Sequence, residues 1–398
     1  MGASSSPRIR DPTEELAPMG RSYGDGAARY PARPGSVFEE IVGKGSRRGC
    51  RNFIIACLLL LVAAVAGGAW LWQHYTGFSD RPIAGLQAGG SVIVAQGDSF
   101  PSVLRKLRAA GVGDGEDLQW RALARHLDVA GSLKVGEYAL APGITPRQLL
   151  LNMRNGKVIS YRFTIIEGWN IRQLRAALNA ATPLRHETAA LDDAALMKQL
   201  GHPDKHAEGR FLPETYVYSR GDSDVDVLER AYAAMDDALE EAWQARAKDL
   251  PLQSPEQALI LASIIEKETG VASERPQIAG VFARRLKQGI RLQTDPTVIY
   301  GIGSAYDGNI RRRDLQTDTP YNTYTRAGLP PTPIAMPGVD ALRAAVNPAP
   351  GDALFFVALG DGSRSHVFSA TLAEHNAAVA RYLQQMRRPP LPEEKPLQ

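Results

Sequence analysis

The chain has 398 residues, 44% of them hydrophobic, which is enough for two or three packed domains of roughly 150 residues and too apolar for a wholly disordered polymer. Lys and Arg total 46 against 43 for Asp and Glu, a formal charge of +3, and this near-balance argues against a nucleic-acid surface, which must neutralise many phosphates. Both cysteines, Cys50 and Cys57, lie near the start, so the chain beyond them can form neither a disulfide nor a thiolate zinc site.

Residues 1–50 are rich in Gly, Pro, Ser and Arg without a sustained apolar period, and they read as a disordered tail. From Phe53 to Trp72 there is no charged or strongly polar side chain, and about 20 such residues span about 30 Å of hydrocarbon as a helix. Residues 51–73 therefore read as one transmembrane helix, with Trp70 and Trp72 in an interfacial belt. A cleaved signal peptide is the weaker reading, because its apolar core is about 7–15 residues long and begins near the start, whereas about fifty residues precede this one. Lys44, Arg47, Arg48 and Arg51 stand before the span, while Asp80 and Arg81 cancel behind it. The positive-inside bias then places the N-terminus in the cytoplasm and the rest of the chain outside.

Residues 74–90 are punctuated by Gly77, Pro82, Gly85, Gly89 and Gly90 and read as a linker. Residues 91–158 read as a small α+β module. A strand at Val92–Val94 leads into helices carrying Val103, Leu104 and Leu107, then Leu118, Trp120, Leu123 and Leu127. A strand within Leu133–Leu140 and a helix over Thr145–Asn155 complete it. The opening Val94 to Ser99 resembles the sugar-binding LysM module; a structural spacer is the alternative.

Residues 159–388 read as a larger α+β domain, followed by a tail over 389–398. It opens with a strand at Tyr161–Ile166 and a helix from Asn170 through Leu174 and Leu178. A polar, irregular stretch follows around His186–Asp204, then a cluster of turn residues and aromatics from Glu208 to Tyr216, and a long amphipathic helix over Asp224–Asp249.

The segment Ser254–Gly270 is marked as a helix at both ends, by a capping box with Pro255 at the first helical position and by Gly270 as a stop. At about 100° per residue, Ile260, Leu261, Ile264 and Ile265 share one face with Glu268. Glu266 and Lys267 project toward the side bearing Glu256 and Ser263, which reads as solvated. A carboxyl among isoleucines in the last turn of a helix is pushed toward its neutral form by desolvation and by the helix dipole, which suits a general acid. The competing reading pairs that Glu with a buried arginine, for which Arg275, Arg284, Arg285 and Arg291 are candidates. Downstream loops dense in amides, hydroxyls and tyrosine rings have the composition of a sugar-binding cleft, although such loops also serve as connectors.

Five runs are then recognisable in order: LASIIEKET from Leu261, RLQTDPTVIYG from Arg291, YNTY from Tyr321, GLPP from Gly328, and HVF from His366 followed by His375 and Asn376. Together they closely resemble the endolytic murein transglycosylases of the YceG-like (MltG) family, over about residues 90 to 385. The resemblance implies a bacterial inner-membrane protein with a periplasmic, lysozyme-like catalytic domain and no cofactor or metal. It implies cleavage of the MurNAc–GlcNAc β-1,4 bond in nascent peptidoglycan strands without water, leaving 1,6-anhydro ends. It further implies a peptidoglycan synthase (a penicillin-binding protein) as partner. The Glu-Thr pair at Glu268 and Thr269 assigns Glu268 as the catalytic acid and base, with Glu266 the runner-up. Gln293, Thr294, Asp295, Tyr321, Asn322, Tyr324 and His366 are the expected substrate-binding residues. Two other readings stay open on the residues alone: a non-enzymatic glycan-binding scaffold, and a hydrolase using water activated by Asp295 or Glu208.

Overall fold

The computed structural model describes residues 46–387, so most of the expected N-terminal tail and all of the expected C-terminal tail lie outside the described residues. The chain divides after Leu71 into two compact units. The first contains the apolar stretch of helix α1 (Ser46–Ser79), which is long and apolar enough to cross a membrane. Its bulky side chains are exposed, Phe53 and Leu60 at 70% each, unlike those of a soluble core helix.

The second unit begins with the last turns of α1, which extend past the expected end at Trp72. Tyr75 and Phe78 pack on the neighbouring core, Phe78 edge-on to Trp120 at 5.4 Å. Asp80, rather than cancelling Arg81, accepts from the Arg147 Nε at 2.7 Å. The stretch expected to be a linker is thus tied down at its start by aromatic burial and an ion pair.

The elements that follow are β1 (Ser91–Val94), α2 (Phe100–Ala109), α3 (Asp117–His126), β2 (Gly136–Ala139) and α4 (Pro146–Asn155). Strand β1 pairs antiparallel with β2, Val92 opposite Tyr138, and the helices bury Leu107, Trp120, Leu123 and Leu149 against that pair. Thr145 and Gln148 cap α4 reciprocally and Gly156, at φ 71°, ends it in the left-handed conformation that favours glycine.

Next come β3 (Ser160–Thr164), α5 (Ile171–Ala180), α6 (Asp193–Gln199), β4 (Thr215–Ser219) and α7 (Asp224–Gln244). Strand β4, which carries no strand reading in the sequence because turn residues precede it, pairs antiparallel with β3, Phe163 opposite Tyr216. The two sides of β4 differ as a half-buried strand requires: Tyr216 and Tyr218 are buried and Val217 is exposed. Helix α7 stops at Gln244, five residues short of the expected end.

A single carboxylate joins these first two cores. Glu137 of β2 is buried, and it accepts from Ser91 Oγ at 2.6 Å, from the Tyr161 hydroxyl of β3 at 2.7 Å and from Arg220 Nε beside β4 at 2.8 Å. Burial alone would raise its pKa, but the bonds from Arg220, Ser91 and Tyr161 outweigh burial and hold it at about 2. Its contribution is therefore present above the ordinary carboxylate range and is lost as pH falls through about 2. Glu137→Gln is expected to weaken the joint by about 2–3 kcal/mol. Limited proteolysis should then cut faster between α4 and β3, and an unchanged cutting rate would count against the joint.

The last elements are α8 (Pro255–Glu268), α9 (Arg275–Lys287), α10 (Asp295–Ile302), α11 (Arg312–Gln316), α12 (Val339–Val346), β5 (Phe355–Ala358), β6 (His366–Ser369) and α13 (Leu372–Met386). Helix α8 is the axis of this region, packed by α7, α9, α10 and α12. Strands β5 and β6 form a third antiparallel pair, Phe356 opposite Phe368, backed by α13. The described chain is thus mixed α and β, with three two-stranded sheets rather than one continuous sheet.

Candidate active site

Ser254 Oγ accepts the Gln257 N–H at 3.3 Å and Pro255 occupies the first turn of α8, as expected. The Gln257 side chain, however, accepts from the Gln253 N–H at 2.8 Å, so the reciprocal half of the box is displaced by one residue. The helix ends on Glu268 because Thr269 turns extended (φ −142°, ψ 135°) and its buried hydroxyl accepts the Val271 N–H at 2.9 Å.

The expectation of a solvated second face on α8 holds for Lys267, which is exposed, and is overturned for Ser263 and Glu266. Every residue from Ala258 to Ile265 is buried, because neighbouring helices cover α8 on several sides. Ser263 sits in that core with its hydroxyl donating to Ile260 O at 2.7 Å and accepting the Ile334 N–H at 3.0 Å. Glu256 is ion-paired with buried Arg210. Glu266, whose side chain is 5% exposed, accepts from Arg275 Nη2 at 3.0 Å and from the Gly338 N–H at 3.0 Å. Burial raises its pKa, while the Gly338 N–H and the Arg275 guanidinium oppose the rise. Helix periodicity locates a second face but does not say what covers it. A Cβ on Gly338 would lie 2.0 Å from Glu167 Oε1, the end of a half-exposed side chain that would have to move aside.

The arginine-paired glutamate is therefore Glu266. Arg284 donates to Ala353 O and Ala349 O, Arg285 donates to backbone carbonyls and to Gln293, and none of the four candidate arginines bonds Glu268. Glu268 is partly exposed and, among the described residues, takes one donor, the Thr294 hydroxyl, on Oε1, with no partner on Oε2. Burial raises its carboxyl to about 7, with the Thr294 hydroxyl opposing and the Asp295 charge adding to the rise. A carboxyl in this state divides its population between acid and base near neutrality.

The expected cleft residues fall into different roles. Gln293 has φ 54°, a left-handed conformation costly for a non-glycine residue. Two bonds hold it there: its N–H donates to Thr323 O at 3.2 Å and its Oε1 accepts from Arg285 Nη1 at 3.1 Å. The turn aims Thr294 at Glu268. Asp295, the first residue of α10, is exposed and accepts from the Tyr324 hydroxyl at 2.6 Å. Burial and that bond to Asp295 push the Tyr324 phenol upward, so it stays protonated. Tyr321 meets Tyr300 edge-on at 4.8 Å and bonds the Thr332 hydroxyl at 2.8 Å.

Two expected sugar contacts are corrected. Asn322 is 1% exposed, its amide donating to the carbonyls of Asp314, Leu315 and Thr317 and accepting the Tyr324 N–H at 2.9 Å. Its whole capacity goes into shaping the loop, so it positions Tyr324 and faces no sugar. His366, on β6, bonds Glu274 through Nδ1 at 2.7 Å and through its N–H at 2.9 Å, with a 12% exposed side chain. One ring nitrogen and the backbone N–H are thereby committed to Glu274. Glu208, considered as a water-activating base, is 0% exposed and accepts the Ile171 N–H at the start of α5 on both oxygens, at 3.1 and 3.2 Å. Burial raises it to about 7, but no water reaches it.

Sequence reading named Arg285 only as a candidate partner for a buried glutamate, and gave no role to the hydroxyl pair Thr297 and Thr323. Arg285 is buried, lies over the Phe355 ring and donates to the carbonyls of Leu354, Arg291 and Leu292 at 2.6–3.0 Å, tying the Gln293 turn to β5. Thr323 Oγ accepts the Thr294 N–H at 3.0 Å and contacts the Thr297 hydroxyl at 2.9 Å. An arginine inside an otherwise apolar helical stretch was the available signal for the first. Nothing local marks the threonines. Among the described residues no group of three or more His, Cys, Asp or Glu is placed to hold a metal ion.

Comparison with known proteins bears on this site directly. The YceG-like family model matches residues 92–381. An endolytic murein transglycosylase of Bacillus subtilis (strain 168) is 33% identical over 271 residues, covering 64% of this chain and 74% of that protein. One from Streptococcus pneumoniae serotype 2 is 27% identical over 368 residues, covering 84% of this chain and 65% of its own length. A crystal structure of a yceG-like protein from Listeria monocytogenes shares 28% identity at a TM-score of 0.46, covering 72% of this chain and 98% of that one. With the model matched over most of the chain, across both Glu268 and the loops that surround it, the chain belongs to the YceG-like family.

Proposed function

We propose that this protein is an endolytic murein transglycosylase that cuts the MurNAc–GlcNAc β-1,4 bond within peptidoglycan strands and leaves a 1,6-anhydro end. The observation that carries the reading is Glu268, a carboxyl at the end of α8 with one oxygen held by Thr294, the other unpartnered among the described residues, and a pKa of about 7. The protonated carboxyl gives its proton to the bridging oxygen as the bond from that oxygen to the anomeric carbon breaks. The resulting carboxylate takes the proton of the sugar's 6-hydroxyl as that oxygen attacks the same carbon. The proton returns to Glu268 and no water is consumed. Ordinary glycosidases divide these tasks between two carboxylates; here Glu266 is committed to Arg275 and Gly338 and Glu208 is sealed. Asp295, with Tyr324 donating to it, supplies negative charge for the oxocarbenium-like transition state.

The apolar stretch of α1 anchors the chain, with residues before it in the cytoplasm and the catalytic region outside. The compact β1–β2 core at 91–158 is proposed as a LysM-like glycan-holding module on a lysozyme-like catalytic region, and a peptidoglycan synthase as the partner that supplies strands.

Mass spectrometry of glycan strands incubated with the full chain in detergent tests the reaction, since anhydro ends lack the water that hydrolysis adds. Intact strands at protein levels that bind glycan would favour the scaffold instead. Because Glu268 must begin protonated, kcat/KM is expected to be flat below neutrality and to fall about tenfold per pH unit above about 7. Thr294→Val removes the donor that lowers this pKa, so its alkaline limb should move to higher pH. Initial rates on labelled strands across pH 5–9 check both, and a limb centred in the ordinary carboxylate range would refute the assignment.

A further inference from the structure

A cavity of about 300 Å³ opens between the start of α5, the end of α8 and helix α10. Its polar lining includes a group of donors beside the hydroxyls of Tyr300, Ser304 and Tyr306. Among the described residues Arg172 has no hydrogen-bond or ion-pair partner, and Lys267 donates once, to Gly168 O at 3.2 Å, which leaves it two further donors. Asn170 and Gln173 cap α5 reciprocally: each side-chain oxygen accepts the other's backbone N–H at 3.0 Å, so both amide NH2 groups remain unspent. No acidic side chain lines the cavity, and Pro296, Ile299 and Ile334 form an apolar wall. Two cations, two spare amide donors and no acceptor carboxylate on one side, with hydrocarbon on the other, suit an acceptor-rich anion on a short aliphatic chain.

The cavity and the cutting site share two elements: lining residues Lys267 and Pro296 are the chain neighbours of Glu268 on α8 and of Asp295 on α10. A group held there belongs to the strand being cut, whose sugars carry no charge where each muramic lactyl carboxyl is amide-linked to its stem. The anions of peptidoglycan are the carboxylates of the peptide stems that hang from its muramic acid residues. We infer that this cavity receives a stem carboxylate, paired with Arg172 and Lys267, and so directs cleavage to stem-bearing muramic acid; the inference rests on the proposed function for its substrate.

A binding measurement tests it without requiring catalysis. The full chain in detergent is titrated with a soluble muramyl peptide and with the same molecule after its carboxylates are converted to amides. The acid is expected to bind at least tenfold tighter than the amide, and Arg172→Gln to erase most of that difference, with Arg172→Lys restoring part of it. Arg172 is exposed and without a partner among the described residues, so an unchanged melting curve for Arg172→Gln serves as the folding control. Equal affinity for acid and amide, absence of binding, or an undiminished preference in Arg172→Gln would overturn the inference. If the acid binds as expected but no strand is cut by the wild-type chain, the catalytic reading fails and the carboxylate site stands.

Discussion

Glu268→Gln is expected to lower strand cleavage by about 10²–10⁴-fold, the range for loss of a positioned acid–base group, while making the fold more stable in alkaline solution. The second effect follows from the raised pKa: about 7 in the folded chain against an ordinary 4.5. The proton is held more tightly in the native state, so the stabilisation from the neutral carboxyl is complete below about pH 4.5 and is lost as pH rises through about 7. At about 1.4 kcal/mol per pKa unit, the charged form costs on the order of 3 kcal/mol at pH 8. Glutamine keeps an oxygen for the Thr294 hydroxyl and has no charge to bury. Thermal melts should therefore rank Glu268→Gln above the wild type at pH 8 and level with it at pH 4.

Glu266→Gln should behave in the opposite way. It leaves the Arg275 guanidinium, 9% exposed, without its buried partner, and removal of one member of a buried pair costs about 3–5 kcal/mol. Any protein that remains folded should keep the alkaline limb of the wild type. Two glutamates two residues apart are thus separated by one pair of measurements, activity and melting. An inactive but stable Glu266→Gln, beside an active Glu268→Gln, would move the catalytic assignment by two positions.

Arg285→Met is expected to cost about 3 kcal/mol and at least about 100-fold in kcat, although no atom of Arg285 is assigned to the substrate. The change orphans buried carbonyls, each worth about 1–3 kcal/mol when left unpaired. It also frees Gln293 from the side-chain bond that helps hold φ at 54°. Once that turn relaxes, Thr294 leaves Glu268, and the pKa of the carboxyl rises because the hydroxyl was lowering it. The alkaline limb should accordingly shift upward, which a loss of stability alone would not produce. Arg285→Lys should rescue little, since one ammonium cannot reproduce a planar fork reaching three carbonyls and an amide.

Much of this was legible before any coordinates. The apolar stretch ahead of Trp72, the caps of α8 and the placement of Glu268 at its end all follow from spacing, capping chemistry and hydropathy, which act between near neighbours in the chain. The run from Leu261 to Thr269 and the later motifs, in order, identified the family from which the reaction is proposed.

What the sequence by itself determined was which side chains lie on a common helix face and, for α8, where the helix begins. Only the tertiary structure decided what meets each face. It put Arg275 and Gly338 against Glu266 and made a buried partner of a residue whose spacing read as solvated. It turned Asn322 inward onto three carbonyls and His366 onto Glu274, although both residue types in such loops read equally well as sugar contacts. It gave Thr215–Ser219 a strand partner, and it made Arg285 the clamp of a strained turn six residues and more away. The physical reason is common to all four. Periodicity and capping are properties of one segment, whereas burial, pairing and pKa depend on groups that the sequence holds far apart and only packing brings within hydrogen-bond reach.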